Sequence, residues 1–565
     1  MNRESPLAAR LCFPVLLLCG ASCARPIPST ETPVDLVLLN GKVMNLDPAR
    51  PEAQAVAVRG DRIAAVGDDA SIAGMAGPQT RRIDLRGGLI LPGLTDAHGH
   101  VASLGERLAS LDLRGVDRIE TVAETVRRRA ADPLPAGAWI TGGGWDQNLW
   151  PGEQFPTHQP LTAASPERPV LLRRVDGHAS WANAAAMRAA GITRDTPDPE
   201  GGRILRDAAG APTGVFVDNA MRLPESAQPK PTREETKSRI RLALQRCAEG
   251  GLTEVHDAGV GPEQVAAYRE LADEGTLPLR VYLMWGGTTP EPIEPMLAQE
   301  PFVNYRDRLT LRAVKLMVDG AMGSRGAVFF DDYADAKGTR GLFVTAPAEI
   351  ERRTEMALRR GYQVCTHAIG DRGIHEVLLA YEQALAKVPV ADPRLRVEHL
   401  QCVAREDLAR LKALHAIASM QPSHATSDMG WAEERIGLQR GLGLYAWRWV
   451  LDLGIPIAAG SDFPVDPERP LIGLHSAVTR QDLHDAPAGG WHPDQRMTID
   501  EAVRAYTLGA AYAAFEEKDG GRVAPGFRAD LTVLAEDLRA VPPERIPQIK
   551  VSGTIVGGRV VYDAF

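Results

Sequence analysis

Leu89-Ile-Leu-Pro-Gly-Leu-Thr-Asp-Ala-His98 is an apolar run that ends on a residue able to do chemistry, and His100 follows after one glycine. At the end of an extended strand, residues i and i+2 point to the same side, so two imidazoles there can grip one cation. A His-x-His pair alone carries little, because core histidines pair by chance. Its setting adds weight: Pro92-Gly93 ends a strand and Asp96 precedes the pair.

The same pattern recurs downstream. Leu311-Arg-Ala-Val-Lys-Leu-Met-Val-Asp319, Gln363-Val-Cys-Thr-His367, Leu395-Arg-Val-Glu-His399, Ala416-Ile-Ala-Ser-Met-Gln421 and Ile455-Pro-Ile-Ala-Ala-Gly-Ser-Asp462 are apolar runs with polar ends. Amphipathic stretches such as Pro347 to Arg360 and Ile374 to Lys387 lie between them. In a parallel barrel the strands are continuous apolar segments, and catalytic residues sit at their carboxyl ends. His367 to His399 spans 32 residues, close to one βα unit, and His399 to Asp462 spans 63, close to two with Gln421 between. His98 to Lys315 spans 217 residues, where three units of about 30 would suffice. The expectation is an α/β barrel over residues 93–520 with an insertion at about 101–250.

The two ends of the chain differ in kind from the middle. Residues 34–92 read as short strands with glycine turns, and residues 521–565 do the same around Ala529 to Leu534 and Gly553 to Tyr562. Asn40-Gly41 and Gly60-Asp61, each between apolar runs, are hairpin chemistry. One small β-sandwich built from both termini, with the barrel inserted between them, is the economical arrangement. Gly142-Gly-Gly-Trp-Asp146 and Trp150, inside the insertion, read as an aromatic-bearing wall over the site, or else as ordinary turn glycine and packed Trp.

Composition sets bounds on function. Of 565 residues, 44% are apolar and 24% charged, which excludes disorder and coiled coil. The net charge of −9 argues against a nucleic-acid footprint, which needs a basic face. Met1 to Ser22 has a positive start, the short run Leu11 to Cys19 and a small-residue exit, the features of a secretory signal. Residues 23–33 are an extended, Pro-containing linker. Cys23 after Gly20-Ala21-Ser22 is similar to a lipoprotein box, with Gly20 in place of the usual Leu. The protein is therefore expected to be exported, either periplasmic or held to the membrane only through a lipid on Cys23. Cys247, Cys365 and Cys402 remain in the mature chain; odd in number and widely spaced, they read as buried thiols rather than a disulfide framework or thiolate metal site.

His98, His100, His367, His399 and Asp462 thus offer nitrogen and oxygen donors at the ends of separate runs. Imidazole and carboxylate without thiolate suit zinc, manganese or iron. Lys315 is the odd member: a buried amine near cations shifts its pKa readily and, on reaction with carbon dioxide, becomes an anionic carbamate. An ion pair with Asp319 is the plainer alternative.

With Pro92-Gly-Leu-Thr-Asp-Ala-His-Gly-His100, Val175-Asp-Gly-His-Ala-Ser-Trp-Ala-Asn183, Gly201-Gly-Arg-Ile-Leu-Arg-Asp207 with Pro212-Thr-Gly214, Val314-Lys-Leu-Met-Val-Asp-Gly320 with Gly323-Ser-Arg325, Thr366-His-Ala-Ile-Gly-Asp371, Val397-Glu-His-Leu-Gln401 and Gly460-Ser-Asp-Phe-Pro-Val465, the sequence resembles the amidohydrolase superfamily. The likeness is to its family-3 branch of metal-dependent hydrolases related to N-substituted formamide deformylase. It implies a distorted TIM-like (β/α)8 barrel flanked by the composite β-sandwich. It also implies two divalent metal ions: His98, His100 and Asp462 on one, His367 and His399 on the other, and carboxylated Lys315 bridging. Gly99 stands at a position that varies in the family, where it would loosen local geometry.

A metal-bound water would supply the nucleophile, and Asp462 would move the proton to a leaving amine. Gly460 is expected to let the backbone turn sharply and aim Asp462 at the barrel mouth. His178 and Arg325 are the candidate substrate contacts, with Asp371 a third. Their plainer readings are a helix-start residue for His178 and an ion pair with Asp319 or Asp331 for Arg325. No basic cluster suggests a phosphorylated substrate, so the expected partner is an uncharged or zwitterionic small-molecule amide, N-acyl or N-formyl; a homo-oligomer is compatible with this. The rival readings are a mononuclear-zinc deaminase or cyclic amide hydrolase, against which Lys315 speaks, and a non-catalytic, surface-anchored binding protein.

Overall fold

The computed structural model describes residues 33–46, 53–133, 137–175, 178–199, 201–287 and 292–565. The expected signal, and all of the linker but Pro33, lie outside the described residues.

Eight parallel strands form the central sheet: β1 Leu94–Gly99, β2 Leu252–Val260, β3 Arg280–Gly286, β4 Leu309–Met317, β5 Gln363–Ala368, β6 Arg396–His399, β7 Ile417–Met420 and β8 Ile457–Ala459. They follow one another around the sheet in chain order from β2 to β8, with β1 beside β2. Strands β5 and β6 are buried at every position, as parallel strands covered on both faces must be. Past the end of β8 the ring closes on β1: Asp462 N donates to His98 O at 2.7 Å, and His100 N to Phe463 O at 2.8 Å. Asp96 ties the same seam from below, accepting from Ser461 N at 3.1 Å and Ser461 Oγ at 2.6 Å. The result is a distorted TIM-type barrel.

The helices between strands follow the amphipathic pattern. Pro347–Arg359 buries Ile350, Arg353, Thr354, Ala357 and Leu358, the i, i+3, i+4, i+7, i+8 stripe of a core-facing helix. Arg233–Glu249 starts on a reciprocal cap in which Thr232 and Glu235 satisfy each other's backbone amides.

Strands from both ends of the chain share a second core. Lys42–Val43 and Leu89–Pro92 join Leu531–Leu534, Val551–Val556 and Arg559–Asp563 in a five-stranded sheet. Val34–Leu39, Ala55–Arg59, Arg62–Gly67 and Ala76–Asp84 make a four-stranded one. Leu36, Val58 and Ile63 of the latter pack with Ile90, Leu531 and Ile555 of the former. Gly60-Asp61 is the hairpin turn expected, pairing Arg59 with Arg62. Asn40-Gly41 is not a hairpin: it is the corner at which the chain leaves the four-stranded sheet for the five-stranded one.

Residues 111–218 carry a six-stranded sheet of their own. Gly142 to Trp145 is part of its strand Ile140–Trp145, so these are strand and not turn glycines. Trp145, Trp150 and Trp181 are the insertion's core, with ring centroids 5.8 to 6.0 Å apart. Gly142 is small because a Cβ there would meet Leu111 O at 2.8 Å, a close approach between neighbouring strands.

Candidate metal centre

The carboxyl ends of the barrel strands bring His98, His100, Lys315, His367, His399 and Asp462 into one cluster. The rings of His98 and His399 lie 4.8 Å apart, those of His367 and His399 4.4 Å, and those of His98 and His100 5.6 Å. Asp462 Oδ1 is 3.0 Å from His100 Nε2 and 3.6 Å from His98 Nε2. One ligand atom from each of His98, His100 and Asp462 falls within 4.8 Å of the others, and the same holds for His399, His424 and Asp462. His367 Nε2 is buried and has no hydrogen-bond partner. Buried polar atoms in folded proteins are almost always partnered, so this donor set fits divalent cations, with nitrogen and oxygen ligands only.

His399 and Asp462 both adopt left-handed backbone, with φ of 74° and 56°. Non-glycine residues held there are strained, and such strain gathers at functional sites. Gly460 does not act through its own torsion, as the turn reading required. A Cβ on it would come within 2.6 Å of Asp96 Oδ1 and of His98 N, so its small size lets β8 approach β1. Gly99 likewise does not loosen the site: a Cβ there would fall 2.3 Å from the Phe463 ring.

Burial sets the protonation of the cluster. It pushes the imidazole of His98 down to about 4 and that of His367 down to about 3, in each case helped by the nearby Lys315 charge. Burial, with the charges of His367 and His98, likewise holds His399 well below its usual range. All three are therefore neutral and lone-pair donors at neutral pH. Burial also lowers Lys315. For Asp462 burial acts upward, but the His100 hydrogen bond and the charges of His98, His399 and His424 outweigh it and keep the carboxyl well below the usual range.

Outer partners orient these groups. His98 Nδ1 meets Glu398 Oε2 at 2.5 Å, and Glu398 Oε1 lies 2.7 Å from Arg396 Nε, all fully buried. Arg396 further donates to Ala97 O at 2.5 Å and Ser419 Oγ at 2.9 Å. His399 Nδ1 is held by Gln421 Oε1 at 2.8 Å, which leaves Nε2 facing the centre. A carboxylate or amide behind a ligating imidazole fixes its tautomer and raises its basicity.

Lys315 does not pair with Asp319. Its Nζ lies 3.0 Å from His98 Nε2, while Asp319 accepts from Val328 N, Ile369 N and Gly370 N at 2.9 to 3.1 Å. His178 is three-quarters exposed on the insertion, its Nδ1 2.8 Å from Asp218 Oδ1. Arg325 grips Asp335 through Nε at 3.1 Å and a terminal nitrogen at 2.8 Å, and Asp335 also takes Arg435. Its partner is thus neither Asp319 nor Asp331, and it is Arg435 on Asp335 that ties the loop after β4 to the segment after β7. Asp371 accepts from Phe330 N at 2.9 Å, holding the loop after β4. Sequence reading missed His424. The run ends on Gln421, and His424 stands three residues into the following helix Pro422–Asp428. Arg396 and Glu398 were in plain view within an apolar strand, where only their burial marks them.

A closed parallel barrel with histidines and an aspartate converging at its carboxyl face defines a metal-dependent hydrolase of the TIM-barrel class. Residues 81–562 match the model of the amidohydrolase family, and the chain belongs to that family. It is 32% identical over 492 residues to YtcJ of Bacillus subtilis, named an amidohydrolase, covering 86% of this chain and 91% of that one. It is 29% identical over 549 residues to N-substituted formamide deformylase of Arthrobacter pascens, covering 94% and 98%. Among solved structures, an uncharacterized metal-dependent hydrolase from Pyrococcus furiosus superposes with a TM-score of 0.74 at 27% identity, covering 89% of this chain and 99% of that one. The chain is an enzyme of the carbon–nitrogen hydrolase kind.

Proposed function

We propose that this chain hydrolyses the C–N bond of a small N-acyl or N-formyl compound at the carboxyl mouth of its barrel. The observation that carries the reading is the convergence of His98, His100, His399, His424 and Asp462 into two overlapping ligand groups. The deformylase relative supports an N-formyl or similar amide as substrate.

His98, His100 and Asp462 would hold one divalent ion, zinc being among those that the donors suit, and His367 and His399 the other, with Lys315 between. Such ions, when bound, supply a water of lowered pKa and polarise a carbonyl oxygen. As a free amine, Lys315 sits on the lone pair that His98 would give a cation. Its lowered pKa favours the neutral amine that reacts with carbon dioxide, and the carbamate would offer oxygens at that spot instead. Asp462, its Oδ1 3.0 Å from His100 Nε2, takes the proton that the attacking water sheds and returns it to the leaving nitrogen.

Lys315→Ala tests this reading. It should lower metal content to at most one ion per chain, and a short carboxylic acid should restore part of the second ion and of the turnover. The compact His98–His100–Asp462 group, sufficient for one ion, favours a second reading, a one-metal deaminase-like centre. Two ions and near-normal turnover in Lys315→Ala would rule out the carbamate bridge. We further propose export, with cleavage near Cys23 or Ala24. Mass analysis of the native amino terminus should find Met1 gone, and an intact Met1 would overturn it.

A further inference from the structure

At the barrel mouth His424, which shares a ligand group with His399 and Asp462, stands among buried polar atoms without a hydrogen-bond partner: His424 Nε2, Asp466 Oδ2 and Ser423 Oγ. The His424 side chain is 7% exposed, and its Nε2 lies 3.6 Å from Asp466 Oδ2 and 3.9 Å from Asp462 Oδ2. Those separations are too long for hydrogen bonds and are the span that an interposed polar group fills. The ring cannot turn away easily. Gln401 Nε2 sits 3.4 Å from its Nδ1, and it stacks parallel to His399 at 6.2 Å.

Asp466 stands on the same turn as Asp462, where Val465 N donates to Asp462 O at 2.9 Å. Among the described residues, no lysine or arginine lies within ion-pair distance of it. Its electrostatic neighbours include His424, Tyr445, Tyr506 and the carboxyl of Asp428, itself bonded to Tyr445 OH at 2.5 Å. A carboxylate oxygen that is buried, unpaired and set beside the proton-moving Asp462 is an acceptor for a hydrogen on the ligand.

We propose that Asp466 accepts an N–H of the substrate's leaving nitrogen, which selects amides that keep at least one hydrogen on that nitrogen. This rests on the amide-hydrolysis reading above. In that reaction the water oxygen bonds to the acyl carbon, the C–N bond breaks, and the nitrogen takes a proton. The departing amine becomes a cation at neutral pH, which a carboxylate without a basic partner stabilises. A tertiary amide offers no hydrogen and leaves Asp466 buried and unpaired, the situation in which a polar site rejects an analogue most strongly.

The test compares N-propylformamide with N-methyl-N-propylformamide, and propylammonium with propyltrimethylammonium, on zinc-loaded wild type, Asp466→Ala and Asp466→Asn. Wild type should favour the secondary formamide in kcat/KM, and propylammonium in binding, by at least about tenfold. Asp466→Ala should bring both ratios toward one with zinc content unchanged, whereas Asp466→Asn, whose amide oxygen still accepts an N–H but carries no charge, should keep the formamide preference and weaken propylammonium binding. Unchanged ratios in Asp466→Ala, or loss of zinc from it, would overturn the proposal. Equal binding of the two cations to wild type would overturn it whatever the turnover. Selective propylammonium binding without turnover of either formamide would instead sink the hydrolysis reading and leave the amine seat standing.

Discussion

Arg396, Glu398 and His98 form a chain in which each fully buried group faces the next, ending at the imidazole edge that looks into the centre. Desolvation alone would raise Glu398, yet Arg396 and His98 hold it well below the ordinary carboxylate range. Removing the negative link leaves a buried guanidinium uncompensated. Glu398→Gln should therefore cost about 3–5 kcal/mol in urea unfolding. It should also weaken zinc binding roughly 10–100-fold, because a neutral amide raises the basicity of His98 less than the carboxylate does. Asp462→Asn acts differently, since it keeps the shape of the side chain and removes its capacity to take a proton. Its kcat should fall by about 10²–10⁴, with KM little changed. A proportional rise in KM with kcat preserved would show that Asp462 binds substrate and moves no proton.

The barrel closes where β8 approaches β1, and three small or polar residues make that seam. Gly460 admits Asp96, Gly99 admits the Phe463 ring, and Ser461 is bonded to Asp96. Gly99→Ala should cost about 1–3 kcal/mol by overpacking against Phe463. Because Asp462 and His100 flank that contact, metal content should fall with stability; unchanged metal content in a folded Gly99→Ala would separate the seam from the centre. Much of this element pattern is legible in sequence. The runs ending at His98, His367, His399, Gln421 and Asp462 are barrel strands or lead out of them, because a parallel strand buried on both faces leaves only its end free for polar residues. Strand β2 is not legible in that way: Glu254, His256 and Asp257 interrupt Leu252 to Val260. Each is a partner for something distant in sequence, Asp257 taking Val101 N and Tyr268 OH, and His256 facing Arg396. Asn40-Gly41 misleads for a related reason, since local turn chemistry does not say which sheet the next strand joins. His424 escaped because a helix, not a strand end, presents it.

At the scale of the molecule, acid should reveal how much of the cluster is held neutral by burial. His367 titrates at about 3 in the folded chain against an ordinary 6.5. The unfolded chain takes up this proton first, so the contribution is full above about 6.5 and is lost as pH falls toward 3. Asp96 and Asp319, both pushed up to about 7 by burial, run the opposite way, favouring the fold as pH falls. A difference measurement isolates the histidine. Between pH 7 and pH 5, metal-free wild type should lose about 2 kcal/mol relative to metal-free His367→Gln. A constant gap would mean that the imidazole titrates in the fold as it does in the unfolded chain. The proposed metal centre at the carboxyl mouth of the barrel is a property of the whole chain. The most direct measurement is the metal content, by elemental mass spectrometry, of purified wild type beside a His98→Ala, His100→Ala double variant. Up to two divalent ions per wild-type chain, mostly zinc, and a clear loss in the double variant are expected. Full metal occupancy in the double variant would contradict it and place the ions elsewhere.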